Sequence, residues 1–155
     1  MYKYSEIEGS DYPLFFFRSI DDHHYNLSFS EYYKIAGIPF YSIDIDCINH
    51  KKPKKDPLVG KTICMIIEGF LSKNNQILMG YVCDKSDAKE LYRRRKFNSW
   101  NKLYSSGRFL MLNQEINFKD GNGSYYTSLI FDANVHPEDF IIDEYRKEIQ
   151  LLSNK

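Results

Sequence analysis

Apolar positions recur along this chain at two spacings, and each change of spacing marks an element. Leu14 to Arg18 is a short apolar, aromatic run, and Tyr25, Leu27 and Phe29 follow at every second residue. Ile20-Asp21-Asp22-His23 separates them with turn residues, so the two runs predict a hairpin. A third strand is predicted from Ile38 to Ile45. There Ile38 and Phe40 keep period two, while Ile43 and Ile45 take the other parity. A bulge or bend near Tyr41 would reconcile them.

Asn49 to Lys55 is polar, basic and interrupted by Pro53, and it reads as an exposed, mobile loop over residues 49–55. Asp56-Pro57 then gives the N-cap and first position of a helix. Ile63, Ile66, Ile67, Phe70 and Leu71 form its apolar stripe, and Lys73-Asn74-Asn75 stops it. Ile77 to Cys83 is nearly all apolar apart from Gly80, the pattern of a strand covered on both faces. Ser86 or Asp87 can cap a second helix that runs to Tyr104. Arg108 to Ile116 and Tyr125 to Phe131 predict a second hairpin, joined through Asp120-Gly121-Asn122-Gly123. Pro137, Glu138 and Asp139 open a last helix, with Ile141, Tyr145, Ile149 and Leu152 on its buried side.

The predicted order is βββαβαββα. It implies one α+β domain over residues 1–155: a mainly antiparallel sheet of about six strands, with three helices packed mostly on one face. Composition agrees with a folded chain, since 43% of residues are hydrophobic and 27% charged. Apolar stretches are far shorter than the ~20 residues that span a bilayer. The opening MYKYSEIEGSDYP has acids where a signal peptide would have its apolar run. Cys47, Cys64 and Cys83 are odd in number and lack CxxC spacing, which suits reduced thiols. A cytoplasmic location with no membrane contact is expected.

Chemistry is harder to find. No GxxxxGK[ST], GxGxxG or GxSxG motif occurs, so no cofactor is expected. His23 and His24 are adjacent and would leave a strand on opposite faces; His50 and His136 stand apart, and no metal site is expected. Asp44 and Asp46 share a strand side. Together with Asp84 and Asp87 they could hold a divalent cation only if the two pairs met. On the second helix, Tyr92, Arg93 and Trp100 fall near one line. Phe97 and Trp100 are expected as aromatic anchors buried against the sheet. Arg93 is expected to lie closer to the core than Arg94 or Arg95, its guanidinium paired to capped carbonyls or to a carboxylate, Asp84 or Asp87 being nearest in sequence and Asp44 or Asp46 the sheet's alternatives. The binding candidates are therefore Arg93, Arg95, Asp84 and Asp87. Basic residues cluster at Lys51 to Lys55 and again at Arg93 to Lys96, but 21 cations balance 21 acids, which argues against nucleic acid.

One segment is distinctive: Tyr81-Val82-Cys83-Asp84-Lys85-Ser86-Asp87, followed by Arg93, Arg95, Phe97 and Trp100. It resembles a family of small bacterial proteins known as domain of unknown function sixty-one sixty-nine. The aromatic N-terminal hairpin, the segment from Asp56 through Thr62-Ile63 and Ile66-Ile67 to Phe70-Leu71, and Asn134 before the last helix resemble it too. The likeness runs over residues 14 to 150 and implies a compact domain without assigning a reaction. The reading that follows is a non-enzymatic binding module able to contact a protein partner through aromatic surface, 13 tyrosines being many for one core. The alternatives are an enzyme using these carboxylates and Arg93 on a phosphate-containing substrate, or a single-stranded nucleic-acid binder.

Overall fold

The computed structural model describes residues 1–52, 54–84, 90–117 and 124–153, with the side chains of 82–93, 116–125 and 152–155 outside the description. Within it the chain runs β1 (Tyr4–Glu6), β2 (Leu14–Arg18), β3 (His24–Ile35), β4 (Ile38–Cys47), α1 (Pro57–Lys73), β5 (Leu78–Asp84), α2 (Glu90–Tyr104), β6 (Phe109–Asn117), β7 (Ser124–Asp132) and α3 (Glu138–Ser153). The strands form one seven-stranded sheet in the order β1-β2-β3-β4-β5-β7-β6. Pairing is antiparallel except between β4 and β5, which run parallel, so the sheet is mixed. A parallel pair needs a long crossover, and α1 supplies it.

The class expected from sequence holds, and the count of six strands does not. The extra strand is β1, three exposed residues whose pattern carries no apolar alternation. It is held by its ladder to β2 and by Tyr4 packing edge-on to Phe15, ring centres 6.2 Å apart. The expected break in β4 is also displaced. Phe40 faces one core cluster and Ile43 and Ile45 the other, so a switch of parity in an unbroken strand simply serves two covered faces. The irregularity falls in β3 between Glu31 and Tyr33, leaving Tyr32 as the extra, exposed residue. Ala36 and Gly37, both at positive φ, turn β3 into β4.

Each face of the sheet has its own core. Phe15, Phe17, Leu27, Phe29, Ile43 and Met79 meet the α1 stripe of Val59, Ile63, Ile66, Ile67 and Leu71. On the other side Ile35, Phe40, Leu78, Leu129 and Phe131 meet Ile141 and Tyr145 of α3. Two helices therefore cover one face and the third covers the other. The α1 start is as its sequence implies: Asp56 Oδ1 accepts the Leu58 N–H at 3.0 Å, with Pro57 at the first position. Gly80 allows a close approach of β5 to β7, since a Cβ there would fall on the Ser128 carbonyl oxygen. No helix among the described residues is long and apolar enough to cross a membrane.

Candidate functional site

The loop after β4 is tied to the turn between β2 and β3. His23, only 5% exposed, donates from Nε2 to the Lys52 carbonyl at 2.8 Å. Lys51 Nζ reaches the Asp21 carbonyl at 2.7 Å, and Lys54 Nζ lies 3.2 Å from Asp21 Oδ1. Asn49 closes the arrangement: its amide donates to the Asp22 carbonyl at 2.7 Å, and its Oδ1 accepts the His24 N–H at 3.1 Å. The lysines point to solvent, but these contacts tether a segment that reads as untethered in the sequence.

Helix α2 packs beside α1 through its aromatic residues. Phe97 stacks on Tyr81 with ring centres 4.0 Å apart and planes within 7°. Trp100 sits edge-on to Phe97 and leans against Gly60 of α1, where a Cβ would fall inside the indole. Both side chains are half-buried: Phe97 packs on the sheet through Tyr81, as expected, while Trp100 also rests on α1. The reason is that α2 rests largely on α1 and the β5 region, so one side of Trp100 faces outward. Lys96 follows that side, its ammonium 5.0 Å from the centre of the indole ring, and partial burial lowers the lysine's pKa.

Between the tethered loop and α2 lies a groove of about 650 Å³. Four cations line it: Lys54 and Lys55 from the loop, Arg95 and Lys96 from the helix. Its ring surface comes from Tyr25, Trp100 and Tyr104, with Leu103 exposed at the edge. Asp56 is the acid of the lining, and both its oxygens are engaged, one by Leu58 N–H and one by the Tyr2 hydroxyl at 2.5 Å. That bond raises the Tyr2 phenol above its ordinary pKa. Among the described residues neither Lys55 nor Arg95 pairs with an acid. The arrangement is an excess of positive charge beside aromatic walls, suited to an anion with a flat or apolar body.

Of the residues singled out from sequence, Arg95 lies in this groove. Asp87 lies outside the described residues, as do the side chains of Asp84, Arg93 and Cys83, the cap at Ser86, the 120–123 turn and Leu152. The clamp between Arg93 and an acid is thus not part of the described geometry. Arg94, which the sequence reading sent elsewhere, is half-buried with its guanidinium carbon 4.3 Å above the Tyr126 ring. Asp44 and Asp46 are exposed on β4, across from Ser28 and Asn26. Among the described residues no three His, Cys, Asp or Glu side chains converge as a metal site would require. The groove itself was missed. Its two basic clusters were visible in the sequence, but their meeting depends on contacts between distant segments.

Sheet and groove together define an α+β protein with a cationic, aromatic cleft beside its second helix. The chain belongs to a family of unknown function, DUF6169, whose model matches residues 55–147. The N-terminal hairpin, which also resembles the family, lies outside the matched stretch, as do Tyr25 and Lys54 of the groove. The other lining residues lie inside it. No curated protein and no solved structure matches the chain.

Proposed function

We propose that the protein is a non-enzymatic binding module whose site is this groove, and that its ligand is an anionic partner with an apolar or ring-bearing body. The observation that carries the reading is the convergence of Lys54, Lys55, Arg95 and Lys96 on walls formed by Trp100 and Tyr104. The described lining has no histidine or cysteine, and its one carboxylate is engaged by Tyr2 and Leu58, which favours holding a ligand over transforming it. The loop contacts support the same reading, because a site fixed before binding loses less ordering entropy when it fills. In this proposal residues 1–155 act as one domain of the bacterial cytoplasm.

The chain's single tryptophan is Trp100, so its emission reports directly on the groove. Titration with polyphosphate, polyglutamate and an oligonucleotide should change that emission for at least one of them. Lys55→Glu combined with Arg95→Glu should abolish the change, while Lys147→Glu on α3 should leave it intact. Emission that none of the three polyanions alters would overturn the proposal.

A further inference from the structure

We infer that the anion taken by the groove is a single-stranded nucleic acid, an inference that rests on the binding reading above. The cations argue first. Each of the four can meet a phosphate oxygen, the three lysines as compact point charges and Arg95 also through its planar fork. They stand on two segments, two on the loop and two on the helix, so successive phosphates of one strand can be met from both sides. The walls argue next. Polyphosphate and polyglutamate have nothing flat to lay on Tyr104, and a nucleobase does. Leu103, 66% exposed at the same edge, adds apolar surface that a base or ribose can cover. A double helix keeps its bases stacked inside and would offer the rings only its backbone.

The balanced net charge does not oppose this. Phosphate contacts respond to local charge within about one Debye length, ~8 Å at physiological salt. Within the groove the lining carries four cations and a single acid.

The test is fluorescence anisotropy with a labelled oligothymidylate of about ten nucleotides, within the span that such sites cover. Lys54 is already held by Asp21, so contacts from Lys55, Arg95 and Lys96 should make log K fall with log salt at a slope of about −2, since each contact on a single strand contributes about −0.7. Lys55→Ala and Arg95→Ala should each flatten that slope by about 0.7. Tyr104→Ala should weaken binding roughly fivefold to a hundredfold with the slope unchanged, because it removes a stacking surface and no charge. Thermal unfolding of each variant would establish that it is folded. Polyglutamate or polyphosphate binding as tightly as the oligonucleotide at equal salt would overturn the inference and leave the binding reading standing. Equal affinity for the duplex would overturn the single-strand assignment, and failure of all the polyanions would overturn both readings.

Discussion

Two glycines on one helix should respond to the same substitution with opposite signs. Gly60 and Gly69 both lie in α1, and alanine in a helix interior is favoured over glycine by about 1 kcal/mol. At Gly69 a new Cβ meets only the Tyr4 hydroxyl oxygen at 3.7 Å, an ordinary contact. Gly69→Ala should therefore raise stability by about 0.5–1 kcal/mol. At Gly60 the Cβ would fall inside the indole of Trp100, with even Cε2 only 2.6 Å away. Forcing a methyl into a packed contact costs about 1–3 kcal/mol, and a rigid ring with three atoms in the way puts this case at the upper end. Set against the propensity gain, Gly60→Ala should lower stability by about 2 kcal/mol.

The variants should then differ by nearly 3 kcal/mol, or about 6–12 °C in Tm for a chain of 155 residues. Urea unfolding followed by circular dichroism measures the energies, and native Trp emission reports whether the indole has moved. In a Trp100→Ala background the clash is gone, so Gly60→Ala should become stabilising, a coupling that a double-mutant cycle reads directly. If both alanines raise stability alike in the parent chain, the indole does not rest on Gly60, and the groove loses the wall assigned to it.

The remaining expectations concern the sheet, the loop and alkaline pH. Gly80→Ala should cost about 3 kcal/mol or more, because the obstacle is the Ser128 backbone, which cannot swing aside; a neutral effect in urea unfolding would contradict the close approach of β5 and β7. His23→Leu should cost about 1–3 kcal/mol by leaving the Lys52 carbonyl without its donor, and should speed tryptic cleavage in the loop; unchanged cleavage would mean that His23 does not hold it. Burial pushes Cys64 up to about 12 and Tyr33 up to about 12, and it raises Tyr145 as well. The unfolded chain loses these protons first, near 9 for the thiol and 10 for the phenols, so stability should be full below about pH 9 and fall as pH rises toward 12. The cysteine alone contributes a slope of up to about 1.4 kcal/mol per pH unit, which Cys64→Ala should remove; a parent chain equally stable at about pH 9 and pH 11 would refute this.

Local signals in the sequence were reliable where local physics decides. Asp56-Pro57 fixes the start of α1 because a cap needs only its own neighbours, and the stripe from Ile63 to Leu71 reports which side is buried. The nearly continuous apolar run from Ile77 is covered on both faces, as its pattern implies, with Met79 and Tyr81 in one core and Leu78 in the other. Strand β1 escaped because three exposed residues carry no periodicity, and their pairing is set by β2. The parity switch in β4 was misread because period-two reasoning assumes one covered face, and this sheet has two. Trp100 was expected mostly buried against the sheet, and its contact with Gly60 of α1 escaped because aromatic spacing on a helix cannot distinguish a sheet from a second helix as the neighbour.

The groove was illegible for a stronger reason. Its lining combines residues 25, 54–59 and 95–104, and no pattern within any one of them shows that the others are near. Each basic cluster, taken alone, is an ordinary solvated surface. Brought together they repel, and that repulsion must be offset for the walls to stay in place. Asp21 holds Lys54 at 3.2 Å, His23 holds the loop backbone, Lys96 rests over an aromatic face, and Trp100 rests on Gly60. Lys55 and Arg95 remain without such compensation among the described residues. A groove held open against its own charge is stabilised by whatever anion enters it. Binding should consequently raise Tm in proportion to RT ln(1 + [L]/Kd), and raise it less as salt screens the cations. An aromatic patch recruited only to cover apolar surface would show the opposite trend, because salts that strengthen burial would strengthen it too.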